Sequence, residues 1–263
     1  DHRIKWTSSN KTAATVDENG TVTALRPIET VTITAVYKTN PALTCSWNLK
    51  ITRTKGYITK QMLDNLDLTA IKKVMITAHP DDETLWGGGH LIEGEYLVVC
   101  MTHGWNPKRR TAFEQTMRTT NDKYLILDYP DVRKTFSNGK YETDMLSTCK
   151  NAMQEDINLI LSYKKWDLIA THNPFGEYGK FLHKTISQMV TQCYNKMTNK
   201  SATLYYFGRY YNSSNKIPGE QIAPELLAIK NSMVDRYYPT AKGAIVAFGH
   251  MIPYENWLLP SEW

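Results

Sequence analysis

A chain of 263 residues can form one large domain or two unequal ones. The hydrophobic fraction of 41% and charged fraction of 22% are typical of a globular protein, and no run approaches the roughly 18 apolar residues of a membrane-spanning helix. The net charge of +5 comes from basic residues interspersed with acidic ones, a pattern that argues against nucleic-acid binding. We therefore expect no nucleic-acid partner and no membrane span.

The first residues, DHRIKW, contain no apolar segment typical of a signal peptide. A mature or trimmed secreted chain would also lack such a segment, so its absence does not indicate a cytosolic protein. The cysteines are far apart and include no CxxC pair: Cys45, Cys100, Cys149 and Cys193. This spacing indicates neither a structural zinc site nor a dense disulfide framework. Cys100 lies in an apolar run, and we expect it in the core.

Residues 1–53 have the pattern of an all-β segment. The stretch TVTALRPIETVTITAVY alternates β-branched residues with others, which is the period-two pattern of half-buried strands. DENG at 17–20 predicts a turn, because Asn and Gly tolerate positive φ. We expect Trp6 and Trp47 to pack in the core of this segment.

Residues 4–37 resemble the bacterial Ig-like domain of group 2, on the text WTSSN, ATVDENGTVTA and TITA. Such domains usually have about 30 further residues upstream, so the resemblance implies that the first strands are missing from this segment. These modules occur mainly in surface and secreted bacterial proteins. The resemblance therefore implies a secreted or cell-surface bacterial location, with cell-surface association through the Ig-like module.

From residue 54 onward, short apolar runs alternate with helix-length segments. Four of the apolar runs are predicted strands: KKVMITA (72–78), YLVVCMT (96–102), WDLIATHN (166–173) and TLYYFG (203–208). The segments 109–127 and 142–165 have helical periodicity. Nearly continuous apolar strands separated by helices indicate a mostly parallel sheet with helices on both faces. We predict a Rossmann-like α/β domain over residues 54–263.

Histidines and acidic residues follow three of the predicted strands, at the sheet edge where ligands bind in such folds. They are His79, Asp81, Asp82 and Glu83 after the first strand, His103 after the second, and His172 and Asn173 after the third. The dipole of a helix stabilises acidic residues in its first turn, which would explain Asp81, Asp82 and Glu83. The helix dipole does not explain why His79 precedes them. A divalent cation would offset the repulsion between the carboxylates, and His79 with Asp82 can chelate one ion.

The spacing of the residues does not identify a third metal ligand among His183, His103 and His172. His183 follows a Gly-rich loop, THNPFGEYGKFLH, that begins at a strand end on the same edge. The AHPDDE motif and this loop resemble the PIG-L (LmbE-like) family of zinc-dependent N-deacetylases, over roughly residues 70 to 260. The resemblance implies that His79, Asp82 and His183 bind zinc. It also implies that Asp81 is the general base and that Tyr178 assists the developing oxyanion.

Lys180 departs from the family pattern, which usually has a histidine at that place (H-x-x-H). The family's histidine steadies the tetrahedral intermediate or protonates the amine. A lysine can supply a positive donor, but it is a poor acid or base near pH 7 unless its pKa is depressed. We expect Lys180 to act with Asp81 and Tyr178 in catalysis, and Arg109, His103 and Asn173 to bind substrate.

The expected activity is zinc-dependent removal of N-acetyl groups from N-acetylglucosamine-containing glycans or glycoconjugates. One alternative is a catalytically impaired sugar-binding or adhesion protein, which Lys180 favours. The other is a metal-dependent phosphoesterase, which would need further Asp or Asn ligands and little use of His183. The basic run NPKRR (106–110) is predicted either as a solvated loop or as the source of an arginine that contacts an anion or a sugar. Five aromatic residues form either a sugar-stacking surface or scattered core positions: Trp86, Trp105, Tyr210, Tyr211 and Trp257.

Overall fold

A computed structural model describes residues 3–134, 141–198 and 200–263 of the chain. The chain divides into two compact units. The first contains Asp1–Gly56 and Asp128–Met153, and the second contains Tyr57–Leu127 and Gln154–Trp263.

The first unit begins with antiparallel β-structure, as the alternating pattern predicts. Strands β1 (Ile4–Ser8), β4 (Ile28–Tyr37) and β5 (Thr44–Ile51) form a sheet in the order β1-β4-β5. Strands β2 (Ala14–Val16) and β3 (Val22–Ala24) form a hairpin.

The turn of this hairpin is closed by Asp17, whose carboxylate accepts hydrogen bonds from the N–H groups of Asn19 and Thr21. Gly20 has a φ of 87°, which fits the predicted turn. Trp6 and Trp47 stack with ring centroids 6.1 Å apart, but Trp47 is 47% exposed. The expected core position of Trp47 is therefore wrong, because most side chains of β5 are exposed, whereas Trp6 in β1 is half-buried.

The second unit is built around the predicted parallel sheet. Its strands are β6 (Lys73–Thr77), β7 (Tyr96–Thr102), β8 (Lys123–Tyr129), β11 (Leu168–Thr171) and β12 (Thr203–Tyr206). The strand order is β12-β11-β6-β7-β8, and the pairs β12/β11, β11/β6 and β6/β7 are parallel. Every residue of β7, including Cys100, is buried, as a strand covered on both faces requires. A short pair, β9 (Arg133–Lys134) and β10 (Tyr141–Glu142), lies in the first unit.

The helices are α1 (Lys60–Asn65), α2 (Asp82–Glu93), α3 (Pro107–Thr120), α4 (Asp144–Tyr163), α5 (Gly176–Gly179), α6 (Phe181–Lys196) and α7 (Pro224–Phe248). Two 3-10 turns follow, at Gly249–Met251 and Pro260–Glu262. Helix α4 confirms the second helical pattern, with Cys149, Met153 and Ile157 fully buried. Among the described residues, none of the helices combines the length and apolar character of a membrane span.

Helix α3 is shorter than its pattern predicts. The side chain of Asn106 accepts hydrogen bonds from the N–H groups of Lys108 and Arg109, and Pro107 occupies the first helical position. The basic run is thus the first turn of a helix, and its prediction as a loop is wrong. The helix ends because Asn121 adopts a left-handed conformation with a φ of 58°. The residues that follow form strand β8 instead of more helix.

Candidate metal centre

The segments that follow β6 and β11 bring three of the sequence-predicted residues together: His79 after β6, Asp82 at the start of α2, and His183 in the first turn of α6. The Nδ1 atom of His79 lies 3.2 Å from Oδ2 of Asp82 and 3.1 Å from Nε2 of His183. The Asp82 and His183 atoms are 3.3 Å apart, and all three side chains are buried. Tetrahedral zinc with bonds of about 2.0–2.1 Å holds its ligand atoms about 3.3 Å apart. The three donors therefore have a spacing at which one metal ion could be held.

The turn between β6 and α2 sets the position of these donors. The backbone N–H of His79 donates to Oδ2 of Asp82 at 2.7 Å, which closes the turn around Pro80. Asp81 has a φ of 150°, in a region that favours glycine, and its N–H donates to Oε2 of Glu83 at 3.1 Å. Such strain is found mainly at functional sites, where the surrounding structure holds it in place.

Asp81 lies beside this group of donors and is not a member of it. Its Oδ2 atom is 3.7 Å from the Arg109 guanidinium, which reaches it from α3. Burial and the neighbouring charge of Asp82 raise the pKa of Asp81 to about 7, although Arg109 acts in the opposite direction. A carboxyl group with this pKa can exchange a proton near neutral pH. The role of Asp81 as general base stays a prediction.

Asp82 stays ionised within the group. Burial disfavours its charge, but His183, His172 and His79 outweigh burial and hold the pKa of Asp82 well below its usual range.

Glu83 lies beneath the turn and is fully buried. Its Oε1 atom accepts hydrogen bonds from the hydroxyl groups of Tyr237 at 2.5 Å and Thr84 at 2.8 Å. Burial raises the pKa of Glu83 to about 7. Tyr237, in α7, was not found by sequence reasoning, because no motif connects it to the acidic run.

Glu177 is a further carboxylate that sequence reasoning did not assign. Its Oε2 atom lies 2.5 Å from Nδ1 of His183 and 3.1 Å from Nδ1 of His172. Burial opposes its ionisation, but these two histidines lower the pKa of Glu177 to about 2. A carboxylate bound to Nδ1 of a histidine orients the ring so that Nε2 is presented to a metal, and Nε2 of His183 faces Asp82. The sequence feature that could have pointed to Glu177 is its position in the Gly-rich loop before His183.

His172 was a competing candidate for the third ligand. Together with Glu177 and His183 it forms a second group of donors that are close enough for a metal ion. However, the N–H of Ala78 donates to Nε2 of His172 at 2.9 Å, and Nδ1 faces Glu177. Both ring nitrogens thus have partners, and the ring stacks on His183 at 3.8 Å. This arrangement favours His172 as a support for His183.

Two further predicted residues, His103 and Tyr178, lie near the donors. The His103 ring lies 5.8 Å from the His79 ring, and the Tyr178 ring lies 5.8 Å from the His183 ring. Lys180 precedes α6 and is half-buried, and its ammonium group has no hydrogen bond or ion pair with the described residues. The catalytic roles of Tyr178 and Lys180 stay predictions.

Asn173 holds the loop that carries Glu177. Its side-chain oxygen accepts from the N–H groups of Phe175 and Glu177, and its amide nitrogen donates to the carbonyls of Phe207 and Gly208. Through these four hydrogen bonds Asn173 stabilises the conformation of the loop. The substrate-binding roles of Asn173, His103 and Arg109 stay predictions.

A buried ion pair supports α2 away from the donors. Helix α2 departs from helical geometry at Gly87. The carboxylate of Glu255 accepts from the N–H groups of Gly89 and His90 at 2.6 and 3.1 Å, and from the Lys230 ammonium at 2.6 Å. Sequence reasoning gave no signal for this network, because its members are far apart in the chain.

The comparisons with known proteins bear on both parts of the chain. Residues 1–46 match the model of the bacterial Ig-like domain (group 2), which confirms that resemblance. The crystal structure of the conserved protein TT1542 from Thermus thermophilus is similar with a TM-score of 0.48 and 11% identity, over 73% of this chain and 96% of that one. The uncharacterized protein L374 of Acanthamoeba polyphaga mimivirus is 31% identical over 175 residues, covering 60% of this chain and 67% of that protein. With this identity and coverage, the chain belongs to the same family as the mimivirus protein L374.

Proposed function

We propose that the protein is a zinc-dependent hydrolase that removes N-acetyl groups from N-acetylglucosamine-containing glycans or glycoconjugates. The observation that carries this proposal is the group of donor atoms formed by His79, Asp82 and His183, with the carboxylate of Asp81 beside it. Two imidazole nitrogens and one carboxylate oxygen are a ligand set typical of catalytic zinc, which keeps a fourth position open. The reaction type comes from the likeness of the two motifs to the PIG-L family.

A zinc ion held by these residues would supply Lewis acidity, which lowers the pKa of water and polarises an amide carbonyl. Asp81, which lies beside the three donors and is not one of them, removes the proton from the attacking water. Tyr178 and Lys180 donate to the carbonyl oxygen as negative charge develops there. Asp81 then returns the proton to the departing amine, and the products are acetate and a free amino sugar.

The domain arrangement is part of the proposal. Residues 1–53 would form the Ig-like module, and residues 54–263 a Rossmann-like catalytic domain. The match of residues 1–46 to the bacterial Ig-like domain supports a secreted or cell-surface bacterial protein, with the module associated with the surface.

A non-catalytic sugar-binding protein is the second candidate, because Lys180 stands where the PIG-L family usually has histidine. An acetate-release screen over chitooligosaccharides, peptidoglycan and small N-acetylglucosamine conjugates, with metal analysis, separates the two. We expect about one zinc ion per chain and acetate from at least one glycan. Zinc and sugar binding without acetate from any of them would favour the second candidate.

A further inference from the structure

The backbone of Asp81, in the turn between β6 and α2, has a conformation that few residues other than glycine adopt. Its φ is 150° and its ψ is −29°, directly before the first residue of α2. A backbone conformation of this kind costs free energy and persists only where the surrounding contacts hold it in place. The contacts of Asp81 therefore decide where its carboxylate lies relative to the candidate metal ligands.

Glu83 supplies one of these contacts through its two carboxylate oxygens. Its Oε2 atom accepts a hydrogen bond from the N–H of Asp81 at 3.1 Å, and its Oε1 atom accepts from the hydroxyl groups of Tyr237 at 2.5 Å and Thr84 at 2.8 Å. The Glu83 side chain is fully buried. Because the two hydroxyl groups hold one oxygen, the other oxygen is kept in place facing the N–H of Asp81.

Tyr237 is the long-range partner of this carboxylate. Thr84 directly follows Glu83 and belongs to the same turn, whereas Tyr237 lies in α7, 154 residues further along the chain. The Tyr237 side chain is 1% exposed and belongs to the same buried core as Phe113 and Met117 of α3. A ring that is packed in this way gives its hydroxyl group a fixed position beneath the turn.

The two candidate metal ligands in the turn have hydrogen bonds of their own. The N–H of His79 donates to Oδ2 of Asp82 at 2.7 Å, and the N–H of Asp82 donates to the carbonyl of His79 at 3.2 Å. Neither hydrogen bond involves Asp81 or Glu83. A displacement of the Glu83 carboxylate should thus move Asp81 and leave these two ligands in place.

We propose that Tyr237 is a positioning residue for the general base: through Glu83, its hydroxyl group holds Asp81 in the strained conformation. The consequence for catalysis rests on the proposed deacetylase function, whereas the hold on the turn does not. A displacement of about 1 Å at a reacting group can reduce a rate about 10²-fold. Loss of the hydroxyl group should therefore lower turnover without changing metal binding.

The variant Tyr237→Phe removes this hydroxyl group and keeps the ring that fills the core. Tyr238→Phe is a matched control, because Tyr238 is the next residue of α7, is 41% exposed and also loses one hydroxyl group. The melting temperature and zinc content of both variants check that they fold and bind metal.

Amide hydrogen exchange of the full chain, followed residue by residue by NMR, tests the hold on the turn without any substrate. In Tyr237→Phe we expect the Asp81 amide to exchange about tenfold faster, while the amides of β7 keep their rates. If Tyr237 only stabilised the fold as a whole, exchange in β7 would accelerate by the same factor. Unchanged exchange at Asp81, or equal acceleration in β7, would overturn the proposal.

The kinetics of acetate release test the consequence for catalysis. In Tyr237→Phe we expect kcat to fall about 10- to 100-fold, with KM and zinc content unchanged. Tyr238→Phe should have the kcat of the unmodified chain. An unchanged kcat in Tyr237→Phe, or an equal fall in the control, would overturn the role of Tyr237 in catalysis.

The two measurements separate this inference from the proposed function. If no sugar releases acetate, the deacetylase is contradicted, and the exchange of the Asp81 amide still decides whether Tyr237 holds the turn. If acetate is released and Tyr237→Phe changes neither kcat nor this exchange, the role of Tyr237 is overturned and the deacetylase stays intact.

Discussion

Glu177 Oε2 lies 2.5 Å from Nδ1 of His183, while Nε2 of the same ring lies 3.3 Å from Oδ2 of Asp82. The imidazole ring is thus held between two carboxylates, one on each nitrogen. This arrangement fixes the orientation of the His183 ring and directs Nε2 toward the other two donors. Glu177 acts on the candidate metal centre through His183, and this makes it a positioning residue.

Replacing Glu177 with Gln should weaken zinc binding about 10- to 100-fold, because the supporting carboxylate of the ligand histidine is lost. Competition with a chromogenic chelator measures the affinity. The exposed Glu220 offers a control, since Glu220→Gln should bind zinc like the unmodified chain. Unchanged affinity in Glu177→Gln would show that His183 does not need this partner.

Replacing Asp81 with Asn should reduce acetate release about 10²- to 10⁴-fold, the range typical of a lost general base. Zinc content should stay near one per chain, because Asp81 is not one of the three grouped donors. Parallel assays of acetate and bound zinc on the same preparation measure both quantities. If the variant retains its activity, Asp81 is not the base.

Replacing Glu255 with Gln should lower the free energy of unfolding by about 3–5 kcal/mol, since the buried Lys230 ammonium loses its counter-charge. Denaturant titration gives this value. Adding Lys230→Met should recover part of the loss, because the unpaired charge is then removed. A loss below about 1 kcal/mol in Glu255→Gln would contradict a stabilising role for this pair.

The same network predicts how stability depends on pH. Burial opposes the charge of Glu255, but Lys230 and His90 lower its pKa from 4.5 to about 2. Burial also lowers the pKa of Lys230, whose ammonium group donates a hydrogen bond to Glu255. The Glu255 carboxylate accepts from several donors, which include the backbone N–H of Gly89. A carboxyl group with a depressed folded-state pKa stabilises the fold above the unfolded pKa, and this contribution is lost as pH falls below it.

The stability difference between the unmodified chain and Glu255→Gln should therefore be constant above about pH 5 and shrink as pH falls from 4.5 toward 2. Denaturant titrations of both proteins at several pH values measure it. A difference that is independent of pH over this range would contradict the depressed pKa.

Sequence predicts the central strands because their signals are local. β6, β7, β11 and β12 are apolar runs of strand length, and the structure confirms each of them. β8 falls within a predicted helix because Tyr124 and Leu125 fit the helical period. The left-handed conformation of Asn121, which ends α3, depends on a turn that periodicity does not report.

The sequence identifies those residues of the candidate site that belong to recognisable motifs. It misses the residues that tertiary packing brings to the site. His79, Asp82 and His183 belong to two recognisable motifs, and the structure brings them within reach of one ion. Glu177 lies in the second motif, but its contact with His183 depends on a buried loop conformation with a φ of 55°. Tyr237, Lys230 and Glu255 reach α2 through packing of the last helix and the segment after it, which no local pattern encodes.

Acetate release by the chain loaded with one zinc ion tests the central claim most directly. The measurement uses neutral and acidic N-acetylated sugars, before and after removal of zinc by a chelator. We predict release that stops when zinc is removed, returns when zinc is added back, and is lost in Asp81→Asn. No acetate from any of these sugars, with zinc bound and the chain folded, would contradict the deacetylase.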